Sequence, residues 1–306
     1  MSEPLRATFF ALQRREGSAL LGATVCYVLM AAALFALVAV PMFGAFGFRF
    51  GADASTPPTP PDPMTVLWVL PLGFAVAFFY CVLTASFEAA CLRWMIRGER
   101  PGLFGMTLDQ DTWRVYGIYW IWALCGVVGW IGFLIVNGLT SYFLAENLIA
   151  RGAVAAVYGM LMLVAAAALA PAAAVSIAER RLVFGEAAQA TEAHFGSLLG
   201  TYALLFGVQW LVSTAWPAIW MLWKLKGDVA AHFEGATDLT SALMAYNAAM
   251  AATVSTPGAL SEYWVLSAAM FALQFVFMVL VYGANARVAL LALQEGRIGR
   301  PAAQPA

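Results

Sequence analysis

The sequence predicts an all-α, polytopic membrane protein of six spans, and three observations carry that prediction. Charge is sparse, at 11% of residues against 63% hydrophobic. It is also segregated: apolar stretches at 19–43, 64–87, 115–145, 152–178, 198–223 and 263–286 are free of Lys, Arg, Asp and Glu. Each stretch exceeds the roughly 20 residues that a helix needs to cross a hydrocarbon core of about 30 Å. A mean hydropathy of +0.80 would leave a soluble domain with far more apolar surface than it could cover.

The first stretch follows Arg6, Arg14 and Arg15 and precedes Ala52-Asp53-Ala54, an arrangement reminiscent of a cleaved signal. Its length is well beyond the 7 to 15 or so residues of a signal's apolar core, so it is expected to stay as an anchor. Ahead of it, Leu5, Phe9 and Leu12 share a face away from Arg6, Gln13 and Arg14. That pattern predicts a short basic helix in the headgroup layer, favoured by anionic lipid. Residues 51–63, GADASTPPTPPDP, hold too many prolines for a helix and read as an extended external loop.

The second span contains Pro71, and prolines recur inside the fourth and fifth at Pro171 and Pro217, where each is expected to bend its helix. The third span opens on Trp113, Tyr116, Tyr119, Trp120 and Trp122, an interfacial aromatic belt. Further along it, Gly126, Gly129 and Gly132 recur every three residues, and the fourth span is alanine-rich from Ala165 to Ala174. Small residues let backbones approach. With only the short segment around Arg151 between them, these two spans are expected to be antiparallel and the closest pair.

Before the fifth span, Phe184, Ala188, Thr191 and Phe195 are placed to form the apolar face of a second interfacial helix, and Trp216, Trp220 and Trp223 mark the far end of that span. The segment 224–262 is an external loop in which Asp238 is expected to cap a surface helix carrying Leu239, Leu243, Tyr246 and Met250. The sixth span then returns the chain.

Orientation follows from Lys and Arg, which are retained on the cytoplasmic side when loops are short. Of 16 such residues, only Arg49, Arg151, Lys224 and Lys226 fall in the alternate set of segments. This bias predicts both termini in the cytoplasm. A net charge of −1 with no basic stripe argues against a nucleic-acid surface.

Catalytic and metal-binding signals are weak. The two histidines, His194 and His232, fall on opposite sides of the membrane by this threading, and the sequence holds no HExxH, Gly-x-Ser-x-Gly or Walker loop. Cys26, Cys81, Cys91 and Cys125 lie in or at the ends of apolar stretches without CxxC spacing and read as packing residues. Neither a metal nor another cofactor is expected.

Two sets of residues are candidates for a site. One is the charged cluster Arg93, Arg97, Glu99, Arg180, Arg181 and Glu186, with Glu179 beside it. It could bind a lipid phosphate through arginine forks or simply obey the positive-inside rule, and the second reading is preferred. The other is the intramembrane polar set Glu88, Asn137, Gln209, Gln274 and Asn285. Glu88 either faces a polar cavity or, on the preferred reading, pairs with an arginine at the interface. The amides fit interhelical hydrogen bonds as well as a permeation path.

The exits of the second and fourth spans share a spacing, Arg93 to Glu99 in RWMIRGE and Arg180 to Glu186 in RRLVFGE, and Gly17-Ser18 resembles Gly196-Ser197 ahead of the first and fifth. Together these suggest three helical hairpins. Through FFALQRREGSALLG, EAACLRWMIRGER and APAAAVSIAERRLVFGEAAQAT, the chain resembles a broad group of six-helix bacterial inner-membrane proteins akin to the membrane domain of glycerophosphoryl diester phosphodiesterases. The resemblance implies a membrane domain without assigned chemistry, and it supplies no catalytic residue. The expected function is non-enzymatic, exerted through membrane lipid, another membrane protein or a second copy of the chain. The alternative is a small transporter or permease for an amphiphilic solute.

Overall fold

The computed structural model describes residues 17–45, 63–102, 105–144, 147–225 and 258–299, with residues 10, 241, 244–246 and 248–249. Among them the elements are helical: α1 (Gly17–Ala45), α2 (Pro63–Arg97), α3 (Gln110–Phe143), α4 (Leu148–Leu169), α5 (Ala172–Glu179), α6 (Ala187–Thr191), a 3-10 turn (Glu192–His194), α7 (Phe195–Leu225) and α8 (Ala259–Gln294). Six helical segments in the described residues are long and apolar enough to cross a membrane, with α4 and α5 together forming one of them. The chain is thus an all-α polytopic membrane protein.

Two helix limits depart from the apolar stretches for physical reasons. α2 continues past residue 87 to Arg97, because its charged last turns find acidic partners and so need not end at the edge of the apolar run. Pro171 interrupts the fourth span: α4 ends at Leu169 and α5 begins at Ala172, the proline carbonyl accepting the Val175 N–H at 2.8 Å. Proline has no N–H to give to the preceding turn and its ring crowds the carbonyl four residues back. α2 runs through Pro71 unbroken, and α7 through the position of Pro217.

The chain divides into two compact units, Met1–Leu199 with Tyr282–Ala306, and Gly200–Val281. In the first, α1 lays Ala23, Tyr27 and Ala31 against α2, with the Tyr27 ring stacked on Phe87 at 4.8 Å between centroids. This pair makes the most extensive helix packing, which corrects the expectation that the third and fourth spans would be closest. The glycines of α3 explain why. A Cβ at Gly126 would meet nothing within 4 Å, whereas one at Gly132 would sit 2.5 Å from the Tyr158 hydroxyl, which donates to the Gly129 carbonyl at 2.6 Å. The stripe is used locally, around one tyrosine, rather than along its length.

The core of this unit is the last four turns of α2, all of α5 and the end of α8. Every residue of α5 is buried, and Ala172, Ala173, Ala174 and Ala178 supply the small side chains that let neighbouring backbones come close. The segment ahead of α7 is no free amphipathic helix. Its buried face is Ala187, Ala190 and Thr191, not Phe184, Ala188 and Phe195, and the Thr191 hydroxyl donates to the Ala168 carbonyl at 2.9 Å, pinning α6 to α4.

In the second unit, α7 and α8 are joined by the Gln209–Gln274 side-chain bond at 2.7 Å and by an ion pair of Lys224 with Glu262 at 2.5 Å. The loop-helix residues Asp238, Leu239, Leu243 and Met250 lie outside the described residues, as do Leu5, Phe9 and Leu12 of the N-terminal segment.

Candidate functional site

The charged residues of the first unit form a lattice where α2 ends and α3 begins. Asp109 caps α3, its Oδ1 accepting the N–H groups of Asp111 and Thr112, each at 3.1 Å. Its other oxygen accepts from Arg93, whose second Nη donates to the Gly105 carbonyl at 3.0 Å. Gly105 has φ 88°, a conformation that strains any residue with a Cβ, so the loop can aim this carbonyl inward only with glycine here. Burial acts to raise the Asp109 carboxyl, but the Thr112 N–H, the Arg93 charge, the Thr107 hydroxyl and the Asp111 N–H outweigh it and hold the group below the usual aspartate range.

One turn on, Arg97 bonds Asp111 and lies 3.2 Å from Glu99, while Arg114 donates to Asp111 at 2.5 Å. Arg180 closes α5 in the left-handed conformation, φ 55°, and from there reaches Glu99 at 3.1 Å. Arg181 bonds Glu179 at 2.6 Å and Glu186 at 3.2 Å. So Arg93, Arg97, Arg180 and Arg181 each face a carboxylate. Asp109 and Asp111 are the members that the sequence reading missed, although Asp-x-Asp-Thr just ahead of an apolar run is a legible N-cap signal.

The segment after α8 docks on the same unit. Arg297 donates to the carbonyls of Gln189 and Ala190 at 3.0 and 2.9 Å, Ile298 is buried, and the Gly299 N–H donates to Glu179 at 2.9 Å. His194 meets Glu295 at 2.9 Å; that bond first, then Arg297, keeps the Glu295 carboxyl below its ordinary range.

Glu88 stands apart from the arginines. Its partners are two phenols, Tyr119 of α3, whose hydroxyl donates at 2.5 Å, and Tyr282 of α8, which interacts with the same carboxyl. This corrects the reading that paired it with an arginine at the interface: the residue is 7% exposed, and among the described residues the group that hydrogen-bonds its carboxyl is Tyr119. Tyr119, placed in the aromatic belt by sequence, therefore turns inward, while Trp113 and Trp120 remain exposed. Of the amides, Asn137 is exposed on α3, Asn285 is buried on α8, and Gln209 and Gln274 bond each other. Among the described residues no group of three or more His, Cys, Asp or Glu is arranged to hold a metal ion. No family model matches the chain, and no curated protein or solved structure matches it.

Proposed function

We propose that this is a multi-pass protein of a bacterial inner membrane, with both termini cytoplasmic, that works by contact with lipid or another membrane protein through its third and fourth spans. The carrying observation is the unequal cover of the helices. Of the most apolar windows, 56% of that in α2 and 50% of that in α8 is buried, against 6% for each of the third and fourth spans. Two helices thus bury little of their apolar windows within the chain and leave large side chains exposed, including Val128, Ile131, Leu161 and Leu163. The arginine lattice supports a scaffold role for the charged end, since its guanidiniums are already matched with carboxylates and the loops there are locked. The excess of Lys and Arg at this end of the spans supports its cytoplasmic placement.

The test is site-specific photo-crosslinking from Val128 and Leu161, with Phe74 of α2, 75% exposed, as the comparison position. A discrete lipid or protein adduct at Val128 and Leu161, absent at Phe74, is the expected result. Identical, unspecific labelling at all three positions, with a solitary chain recovered in mild detergent, would overturn the proposal.

A further inference from the structure

We propose that Glu88 is a proton-binding site, a buried carboxyl that takes up and releases one proton in place and so couples the packing of α2, α3 and α8 to proton concentration. The ligand is the proton itself. An acid inside a membrane helix is expensive, and where it persists it pairs with another charge, lines a polar path or exchanges protons. The first option is closed to Glu88 in this arrangement. The nearest guanidinium on its own helix, that of Arg93, is bound to Asp109 and the Gly105 carbonyl.

What surrounds Glu88 suits a proton instead. Tyr119 reaches it from α3 at 2.5 Å, so the ionised form has a phenol donor and the neutral acid a phenol oxygen to which its own O–H can donate, with the Tyr282 phenol of α8 close by. The proton thus has a partner on either side of the exchange. The other titratable groups facing the site are Cys91, on the next turn of α2, and Tyr27 of α1, which acts on Tyr282 and whose hydroxyl lies 3.0 Å from Thr84 and 3.2 Å from Tyr80. From α5 the acid is Glu179, engaged by Arg181 and the Gly299 N–H. Phe87 lies between the Tyr27 and Tyr282 rings, at 4.8 and 6.3 Å, so three helices meet at this turn through aromatic contacts as well as hydrogen bonds.

Infrared difference spectroscopy of the full chain in lipid nanodiscs tests the proposal. The carbonyl-stretch band of a neutral carboxylic acid should rise and fall over a single-proton pH titration, and Glu88→Gln should abolish it. Tyr119→Phe, which keeps the carboxyl and the packing, should move the midpoint by about one pH unit, the size expected when one hydrogen bond to the group is lost, and Tyr282→Phe should move it in the same direction by less. The same measurement in sodium and in potassium buffers should give one midpoint. A missing band at every pH, a band that does not titrate, a midpoint indifferent to both tyrosines, or one that follows sodium would overturn it. If Glu88→Gln does not fold, the two tyrosine variants decide the question alone.

Discussion

Arg93 is 1% exposed at the end of a membrane helix, and it is tolerated there because Asp109 and the Gly105 carbonyl replace the water it gives up. Asp109 does two jobs at once, capping α3 and neutralising Arg93. The two are separable. Asp109→Asn keeps an acceptor for the cap and removes the charge, whereas Asp109→Ala removes both, so the alanine variant should be less stable by the cap's share, about 1 kcal/mol. Both should lose more than an exposed ion pair is worth, on the order of 2 kcal/mol, because the buried guanidinium loses a charged hydrogen-bond acceptor and keeps only Asp111, 4.0 Å away, as a counter-charge. Chemical or thermal unfolding in detergent measures the order. The pH dependence has a fixed sign: a carboxyl held below its usual range contributes stability that is complete above the unfolded aspartate value of about 3.9 and is lost as pH falls through the lower folded value. The wild type should therefore lose stability below about pH 4, and Asp109→Asn should lose less over the same interval.

Among the elements, the packing of α3 on α4 depends on a single close approach. Glycine to alanine inside a helix ordinarily adds about 1 kcal/mol of stability, and at Gly126, where a Cβ meets nothing within 4 Å, that gain should appear in full. At Gly132 the new Cβ would lie 2.5 Å from the Tyr158 hydroxyl, which must then leave the Gly129 carbonyl. The lost hydrogen bond costs about 1 kcal/mol, so Gly132→Ala should bring no net gain. In a Tyr158→Phe background the obstacle is gone and the gain should return, which makes the two substitutions non-additive in a double-mutant cycle. Additive effects would show that the approach is looser than its geometry. The α1–α2 packing follows a different rule, an aromatic between two alanines at four-residue spacing, Ala23, Tyr27 and Ala31. That pattern is present in the sequence but competes there with a more conspicuous glycine run.

For the whole molecule, the threading is the property most directly open to measurement. In a background without the four native cysteines, cysteine at Thr59 or Thr237 should react with an impermeant thiol reagent added to intact spheroplasts, and cysteine at Gln13, Gln110 or Gln189 only after lysis. Gln110 opens α3 and Gln189 is exposed in α6, so both positions are accessible to a reagent that reaches their side. Labelling of the Gln189 site from outside would overturn the proposed orientation and with it the proposed cytoplasmic placement of the arginine lattice.

The number and position of the spans were legible because lipid imposes a one-dimensional rule: a helix must be long, apolar and uncharged over its crossing, and charge must collect at its ends. The same rule is silent on which face of a helix meets which neighbour, since lipid tails and alanine side chains are equally apolar. Glu88 shows the consequence. Its place near the end of an apolar run could be read directly, and by length alone the headgroups and their arginines were within reach. That it instead turns toward Tyr119 and Tyr282 depended on residues 31 and 194 positions away along the chain. The arginines were likewise visible one by one, but Arg180 meeting Glu99 across 81 residues required the fourth span to be broken at Pro171 and α5 to close in a left-handed turn. Local composition determined where this chain is apolar and where it is charged; only the tertiary fold decided partners, because a hydrogen bond is chosen by direction and distance in space and not by separation in sequence.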